Sequence, residues 1–363
     1  MKILMVHNDY GRYSGEEAVV DLFVSDGRKA GYEIQELRCT SKDARGTLWG
    51  NIRGFFAGIY SPSGIRKMRK ALRTFQPDSV HIHNLYPFIS PAALFECKKA
   101  GVPVVMTVHN YRLICPTGLF LRNGRPCEEC LHRGNEWACI QHNCEASPMR
   151  SWGYALRNAT ARISGAYRTN VDYYCCLTEF QKQKLIEAGF DAKKIFVFPN
   201  YFNTAMRPNS EQKERTFVGY VGRLSHEKGY DLLLEVARKH PEIEFRFAGE
   251  KRETAEQVPL PNVTYCGLLD KEQLAAFYQE ARFIVLPSRC YEGFPLVIPE
   301  AFSQGLPCIA PNHGPFPELI VHQDIHCGEL FQPGNADDLE QKVILLLNED
   351  STRTQYSKNA DHI

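Results

Sequence analysis

The sequence predicts an α/β protein built from two Rossmann-like parallel-sheet domains. Three observations carry that prediction. Short apolar runs alternate with amphipathic helical patterns from end to end, which is how parallel strands covered on both faces read in sequence. The alternation restarts near residue 217, after a proline- and polar-rich stretch at 199–215. The length of 363 residues exceeds one ordinary core and suits two domains of average size.

In the first half the strand candidates are KILMVH (2–7), YEIQEL (32–37), SVHIH (79–83), PVVMTVH (103–109) and YYCCLT (173–178). Helix patterns at 16–29 and 91–100 lie between them. The second half offers FVGYVG (217–222), IEFRFAG (243–249), NVTYCG (262–267), RFIVLP (282–287) and PCIA (307–310), with helices at 230–239, 271–280 and 339–347. The expected organisation is an N-terminal domain over 1–200 with a cysteine-rich insertion at 115–144, a C-terminal domain over 216–350, and a polar segment at 351–363. In such sheets ligands sit beyond the carboxyl ends of the strands. The residues that follow each strand are therefore the ones to read for chemistry.

Composition narrows the function. Apolar residues make up 44% and charged residues 23%, the balance of a globular protein. A net charge of +1 argues against a nucleic-acid partner, which calls for a clear basic excess. No run of about 18 apolar residues exists to span a membrane. The opening MKILMVHNDYG lacks a small-residue cleavage site and reads as a first strand. These features predict a cytoplasmic protein.

Two constellations suggest a site. The strand FVGYVG runs through Gly222 into Arg223, and Lys228 follows five residues later before a helix. Two cations and free helix-start amides at one point suit a diphosphate, although a solvated loop would look the same. The strand RFIVLPS leads into Glu292-Gly293-Phe294-Pro295-Leu296 and then Glu300. Two carboxylates flanking a tight turn can accept hydrogen bonds from sugar hydroxyls. The plainer alternative is two glutamates favoured by a helix macrodipole.

These motifs, joined by Gly267-Leu268-Leu269 and by Gly305-Leu306-Pro307, resemble the donor half of the retaining family-4 glycosyltransferases. The resemblance covers roughly residues 215–348 and implies a GT-B fold, two domains facing across a cleft. It implies that Arg223 and Lys228 hold a donor diphosphate, Glu300 the ribose and Glu292 the transferred sugar. Amides of Gly293 to Leu296 would help, and Gly267, Leu268 and Leu269 would hold the base through their backbone. In the first half, the loop ending at Ser14-Gly15 resembles the family's glycine-bearing loop, with Ser14 where the family usually has glycine. His109 matches a histidine facing the sugar, whereas His81 and His83 read as structural. The implied donor is a UDP- or GDP-sugar, and the implied acceptor is a saccharide or lipid-linked saccharide of a surface polysaccharide. No D-x-D occurs to chelate a metal on the diphosphate, so no catalytic metal is expected. The family usually carries a further C-terminal helix crossing back to the first domain; after the helix pattern here only a short polar stretch follows, so that helix is expected to be either shortened or cut off by truncation. Rivals are a nucleotide-sugar epimerase of the same fold and a non-catalytic partner subunit. No G-x-G-x-x-G follows a strand, which disfavours a nicotinamide cofactor.

Thirteen cysteines occur, and five lie between Cys115 and Cys144. The spacing Cys127-x2-Cys130-x8-Cys139-x4-Cys144 suits a structural tetrahedral zinc. Free thiols, or a disulfide in an oxidising compartment, are the alternatives. Residues 48–75 combine aromatics with Arg66, Lys67, Arg69, Lys70 and Arg73. Such a segment can lie on anionic lipid at the inner face of the cell membrane, or be a solvated helix face.

Overall fold

A computed structural model describes residues 1–10, 14–40, 56–132, 134–200, 214–252 and 255–360. The chain divides into two units, one of Met1–Phe120 with Glu128–Tyr201, the other of Leu121–Cys127 with Phe202–Ile363. The linker expected at 199–215 falls largely on residues 201–213, outside the described residues.

In the first unit the apolar runs become β1 (Lys2–Asp9), β2 (Glu33–Thr40), β3 (Ser79–Ile82) and β4 (Val104–Val108). A two-stranded hairpin, β5 (Leu121–Arg122) and β6 (Arg125–Pro126), which groups with the second unit, precedes β7 (Tyr173–Cys176) and β8 (Ile195–Val197). The helices are α1 (Gly15–Lys29), α2 (Pro62–Phe75), α3 (Leu94–Ala100), α4 (Ala138–Gln141), α5 (Pro148–Ile163), α6 (Ala166–Asn170) and α7 (Glu179–Glu187). The sheet runs β2-β1-β3-β4-β7-β8, all pairs parallel. Its order reverses between β1 and β3. Helix α2 shows why the basic segment folds as it does. The Ser61 hydroxyl caps the Gly64 amide at 3.1 Å and proline stands in the first turn. Ile65, Met68 and Leu72 then bury one stripe, which leaves the basic residues outside.

The second unit holds β9 (Phe217–Val221), α8 (Tyr230–Lys239), β10 (Phe245–Ala248), β11 (Val263–Gly267), α9 (Lys271–Glu280) and β12 (Ala281–Val285). Next come α10 (Val297–Phe302), β13 (Cys308–Pro311), α11 (Phe316–Ile320), the ribbon β14 (Val321–His322) and β15 (Ile325–His326), and β16 (Gly328–Phe331). Helices α12 (Ala336–Asn348) and α13 (Asp350–Ala360) complete it. The sheet order β11-β10-β9-β12-β13-β16 is that of a doubly wound fold. Strand alternation builds a core on each face. Phe283 and Val285 pack with Leu233 of α8, while Ile284 packs with Phe277 of α9.

Two features add to the expected organisation. The insertion 115–144 was assigned whole to the first domain, but Leu121–Cys127 groups with the second unit. The polar segment at 351–363 is helical over Asp350–Ala360. It has no apolar stripe to announce it, and polar anchors hold it. Tyr356 donates to Glu329 at 2.7 Å and Asn359 to the His326 carbonyl at 2.7 Å.

Candidate active site

In the second unit the strand order reverses between β9 and β12. The crevice rule for such sheets points to the residues after these two strands. They are the segments carrying Gly222, Arg223 and Lys228, and Ser288 to Glu292. Several hydrogen bonds bind the two segments together. The Glu227 carbonyl accepts from the Arg289 amide at 2.9 Å and the Ser288 hydroxyl at 3.2 Å. The Arg289 guanidinium grips both oxygens of Asp231, at 2.5 and 2.7 Å.

The chemistry concentrates on one ion pair. Lys228 Nζ lies 2.6 Å from Glu292 Oε1, and the Ser288 hydroxyl donates to the same oxygen at 2.8 Å. Burial alone would push the Glu292 carboxyl toward its neutral form, but Lys228 and Ser288 outweigh it and hold the group below its usual value. Burial likewise opposes the Lys228 charge, and Glu292 overcomes it, raising the ammonium above its usual value. Arg223 is 3.5 Å from Glu227 with its side chain 44% exposed, so it can turn toward an incoming anion.

The other predicted donor residues take these places. Glu300, on α10, accepts from the Tyr278 hydroxyl at 2.8 Å, and burial raises its carboxyl. Gly293, Phe294, Pro295 and Leu296 form the partly buried turn into α10. Gly267 accepts from the Gly249 amide at 2.7 Å, Leu268 is 81% exposed, and Leu269 packs against the core. Sequence reasoning missed Ser288, Tyr278 and His313, whose Nε2 lies 3.0 Å from the Ser288 carbonyl.

In the first unit His109 follows β4 and its Nε2 is 2.8 Å from Nδ1 of His83, the rings stacked. His83 was read as structural; it lies just past β3 and orients His109 directly. Around them His81 bonds Thr107 at 2.8 Å, and His7 is fully buried. Burial, with His7 and His81 adding repulsion, lowers His109 to about 3. Burial lowers His81 to about 4. These imidazoles are therefore neutral at physiological pH. Their NMR ring signals should not shift between about pH 8 and pH 5.5, whereas an ordinary histidine titrates near 6.5. A His109 signal that titrates in that window would remove the buried, neutral assignment.

Gly15 begins α1, and the rest of its loop, residues 11–13, lies outside the described residues. Beside it the Tyr10 hydroxyl bonds Glu16 at 2.9 Å and accepts from Arg112 at 2.8 Å. Burial raises Glu16 to about 7 against the pull of Arg112. His7, Asp9 and Glu17 offer ligand-type atoms all within 4.8 Å of one another. Arg38, 3.9 Å from Asp9, already supplies positive charge there.

The cysteines predicted as ligands are free thiols on either side of a unit boundary. Cys130, Cys139 and Cys144 belong to the first unit, as Cys115 does, while Cys127 belongs to the second. Of the predicted lipid-facing segment, residues 48–55 lie outside the described residues. Within α2, Arg69 is held by Glu96 at 2.7 Å, and Arg66, Lys70 and Arg73 are exposed.

Comparison with known proteins agrees with this layout. The family described as Glycosyltransferase Family 4 matches residues 20–205, and that described as Glycosyl transferases group 1 matches residues 201–362. A sulfoquinovosyl transferase of Arabidopsis thaliana is 28% identical over 294 residues, 79% of this chain and 53% of its own length. The chain thus spans about half of that relative. A 42.6 kDa protein in the cps region of Klebsiella pneumoniae is 26% identical over 311 residues, 83% of this chain and 76% of its own. Sucrose-phosphate synthase of Thermosynechococcus elongatus has a TM-score of 0.72 at 17% identity, over 99% of this chain and 92% of its own. The Anabaena protein HepE, solved with UDP-glucose, has a TM-score of 0.66 at 17% identity, over 100% and 94%. These two likenesses carry the GT-B fold. With matched halves in the order of the two sheets, the chain belongs to the family-4, group 1 glycosyltransferases.

Proposed function

We propose that the chain moves a sugar from a nucleoside-diphosphate sugar, UDP- or GDP-linked, to a saccharide or lipid-linked saccharide, with retention of configuration. The observation that carries this is the Lys228–Glu292 pair, 2.6 Å apart at the point where the sheet order reverses. A lysine fixed beside a partly exposed arginine can neutralise a leaving diphosphate without a metal. Glu292, kept ionised, is an acceptor for sugar hydroxyls, and Glu300 for a ribose. The UDP-glucose bound by HepE supports a uridine donor. A role in polysaccharide synthesis accords with the cps-region relative. The exposed basic face of α2 suits docking on an anionic membrane, although no helix of the described residues is long and apolar enough to cross one.

The test is a screen of nucleotide sugars for turnover, with and without brief EDTA, on wild type and Glu300→Ala. Losing one hydrogen-bond acceptor to the nucleotide should weaken UDP or GDP binding by about 5- to 150-fold, a cost of about 1–3 kcal/mol. Turnover should survive EDTA. Wild-type nucleotide affinity in Glu300→Ala, or loss on EDTA that magnesium restores, would count against the donor site as drawn. Free sugar released as an epimer, with no acceptor product, would favour the epimerase reading.

A further inference from the structure

The segments after β9 and β12 carry the Lys228–Glu292 pair, and the segment between β13 and α11 reaches them through His313. Its Nε2 lies 3.0 Å from the Ser288 carbonyl oxygen. A carbonyl only accepts, so Nε2 holds the ring proton and donates it. The ring is held from two sides. Tyr291 lies 5.5 Å away, and fully buried Phe316 stacks at 6.0 Å. The backbone beneath it is fixed as well. The Asn312 amide donates to the Phe331 carbonyl at 2.7 Å, and the His313 amide to the Pro311 carbonyl at 2.9 Å. A side chain held in this way delivers its donor to one point.

That point is the backbone of the residue that meets Glu292. Ser288 is buried, and its hydroxyl has one proton with two acceptors in reach. These are Glu292 Oε1 at 2.8 Å and the Glu227 carbonyl at 3.2 Å. The shorter contact favours Glu292, whose same oxygen lies 2.6 Å from Lys228 Nζ. Which acceptor the hydroxyl takes depends on where the Ser288 backbone sits. The bond from His313, 25 positions away, fixes that backbone.

We infer that His313 is a positioning residue, which through Ser288 sets the Glu292 carboxylate against Lys228. It acts on the loop after β12 rather than on the sugar. The inference rests on the reading of Glu292 as the residue that meets the transferred sugar. Burial lowers the imidazole below its usual value, in keeping with a neutral ring that donates from Nε2 alone.

The test reads the free full-length protein first. The Glu292 carboxyl is followed by carbon NMR and assigned from its absence in Glu292→Gln. Lys228, Arg223, the Ser288 hydroxyl and the Cys290 thiol all bear on it. His313→Phe keeps a ring beside Tyr291 and Phe316 but has no donor. In it the Glu292 titration should move up by about one pH unit, because losing a hydrogen bond to the carboxylate favours its protonated form. His313→Gln reaches the carbonyl with an amide donor and should restore the wild-type titration. Ser288→Ala should give the same shift, and adding His313→Phe to it should give no more, since both act through one hydroxyl. Turnover of each nucleotide sugar that the wild type uses should fall about 10- to 100-fold in His313→Phe. A merely structural histidine would cost melting temperature and leave the Glu292 titration unmoved, which would overturn the inference. So would a shift that His313→Gln fails to reverse. Should His313→Phe not fold, nitrogen NMR of the wild type decides: the His313 proton is expected on Nε2, and a proton on Nδ1 would overturn the assignment. Full turnover by Glu292→Gln would instead remove the donor reading, with the titration still deciding the role of His313.

Discussion

Lys228→Met is expected to lower kcat/KM for the sugar donor by about 100- to 1,000-fold, the usual consequence of removing one preorganised electrostatic contact to developing charge. It should also destabilise the protein, for a reason separate from catalysis. Glu292 is 15% exposed and leans on Lys228 at 2.6 Å. Without the cation a partly buried carboxylate loses the charge that lies against it, at a cost of about 1–3 kcal/mol. The pH dependence gives the sign. In the wild type the Glu292 carboxyl sits below its usual value, because Lys228 and Ser288 overcome burial. Its stabilisation is therefore full above the unfolded carboxylate value of about 4.3 and is lost only as pH falls through the lower folded value. In Lys228→Met burial prevails and raises the carboxyl, so lowering the pH neutralises Glu292 and recovers stability. The melting-temperature deficit should be largest near pH 7 and shrink toward pH 5. The double variant Lys228→Met with Glu292→Gln should recover most of the stability and none of the activity. Additive effects on stability, or an active Lys228→Met, would break the assignment.

The fold was legible because each sheet is parallel and buried on both faces. Runs such as FVGYVG and RFIVLP have few polar interruptions, and they became β9 and β12. The turn at 292–296 was legible as the approach to a helix because its residues are close in sequence. What was illegible is contact across the chain. Lys228 and Glu292 meet over 64 positions, and His83 meets His109 over 26. No local period encodes either pairing. Reading His83 as a strand residue was reasonable for SVHIH, yet the strand ends at Ile82 and leaves His83 at the sheet edge. The Tyr10–Glu16–Arg112 group was hidden for the same reason, since Arg112 lies 102 residues from Tyr10.

Gly229→Ala should be among the most damaging small substitutions in the second unit. Gly229 sits between Lys228 and α8 in the left-handed region, at φ +68. That conformation costs a non-glycine residue about 1–2 kcal/mol. Sterics add more, because a Cβ there would stand 1.8 Å from the Pro287 carbonyl oxygen and 2.8 Å from its carbon. Both obstacles are backbone and cannot swing aside as a side-chain tip would. The chain after β12 must therefore move away from the chain after β9. Ser288 and Glu292 would move with it, opening the 2.6 Å contact to Lys228. The expected cost exceeds about 3 kcal/mol, a fall of about 6–12 °C in melting temperature for a domain of this size. Activity should fall further than the unfolded fraction explains, because the protein that remains folded carries a displaced Glu292. Gly334→Ala is the control. Gly334 has φ +73 but nothing within 4 Å of its Cβ position, so only the conformational cost applies. It should lose about 1 kcal/mol and keep wild-type turnover. Equal losses in the two variants would show that the close approach of the two loops is not what holds Lys228 against Glu292.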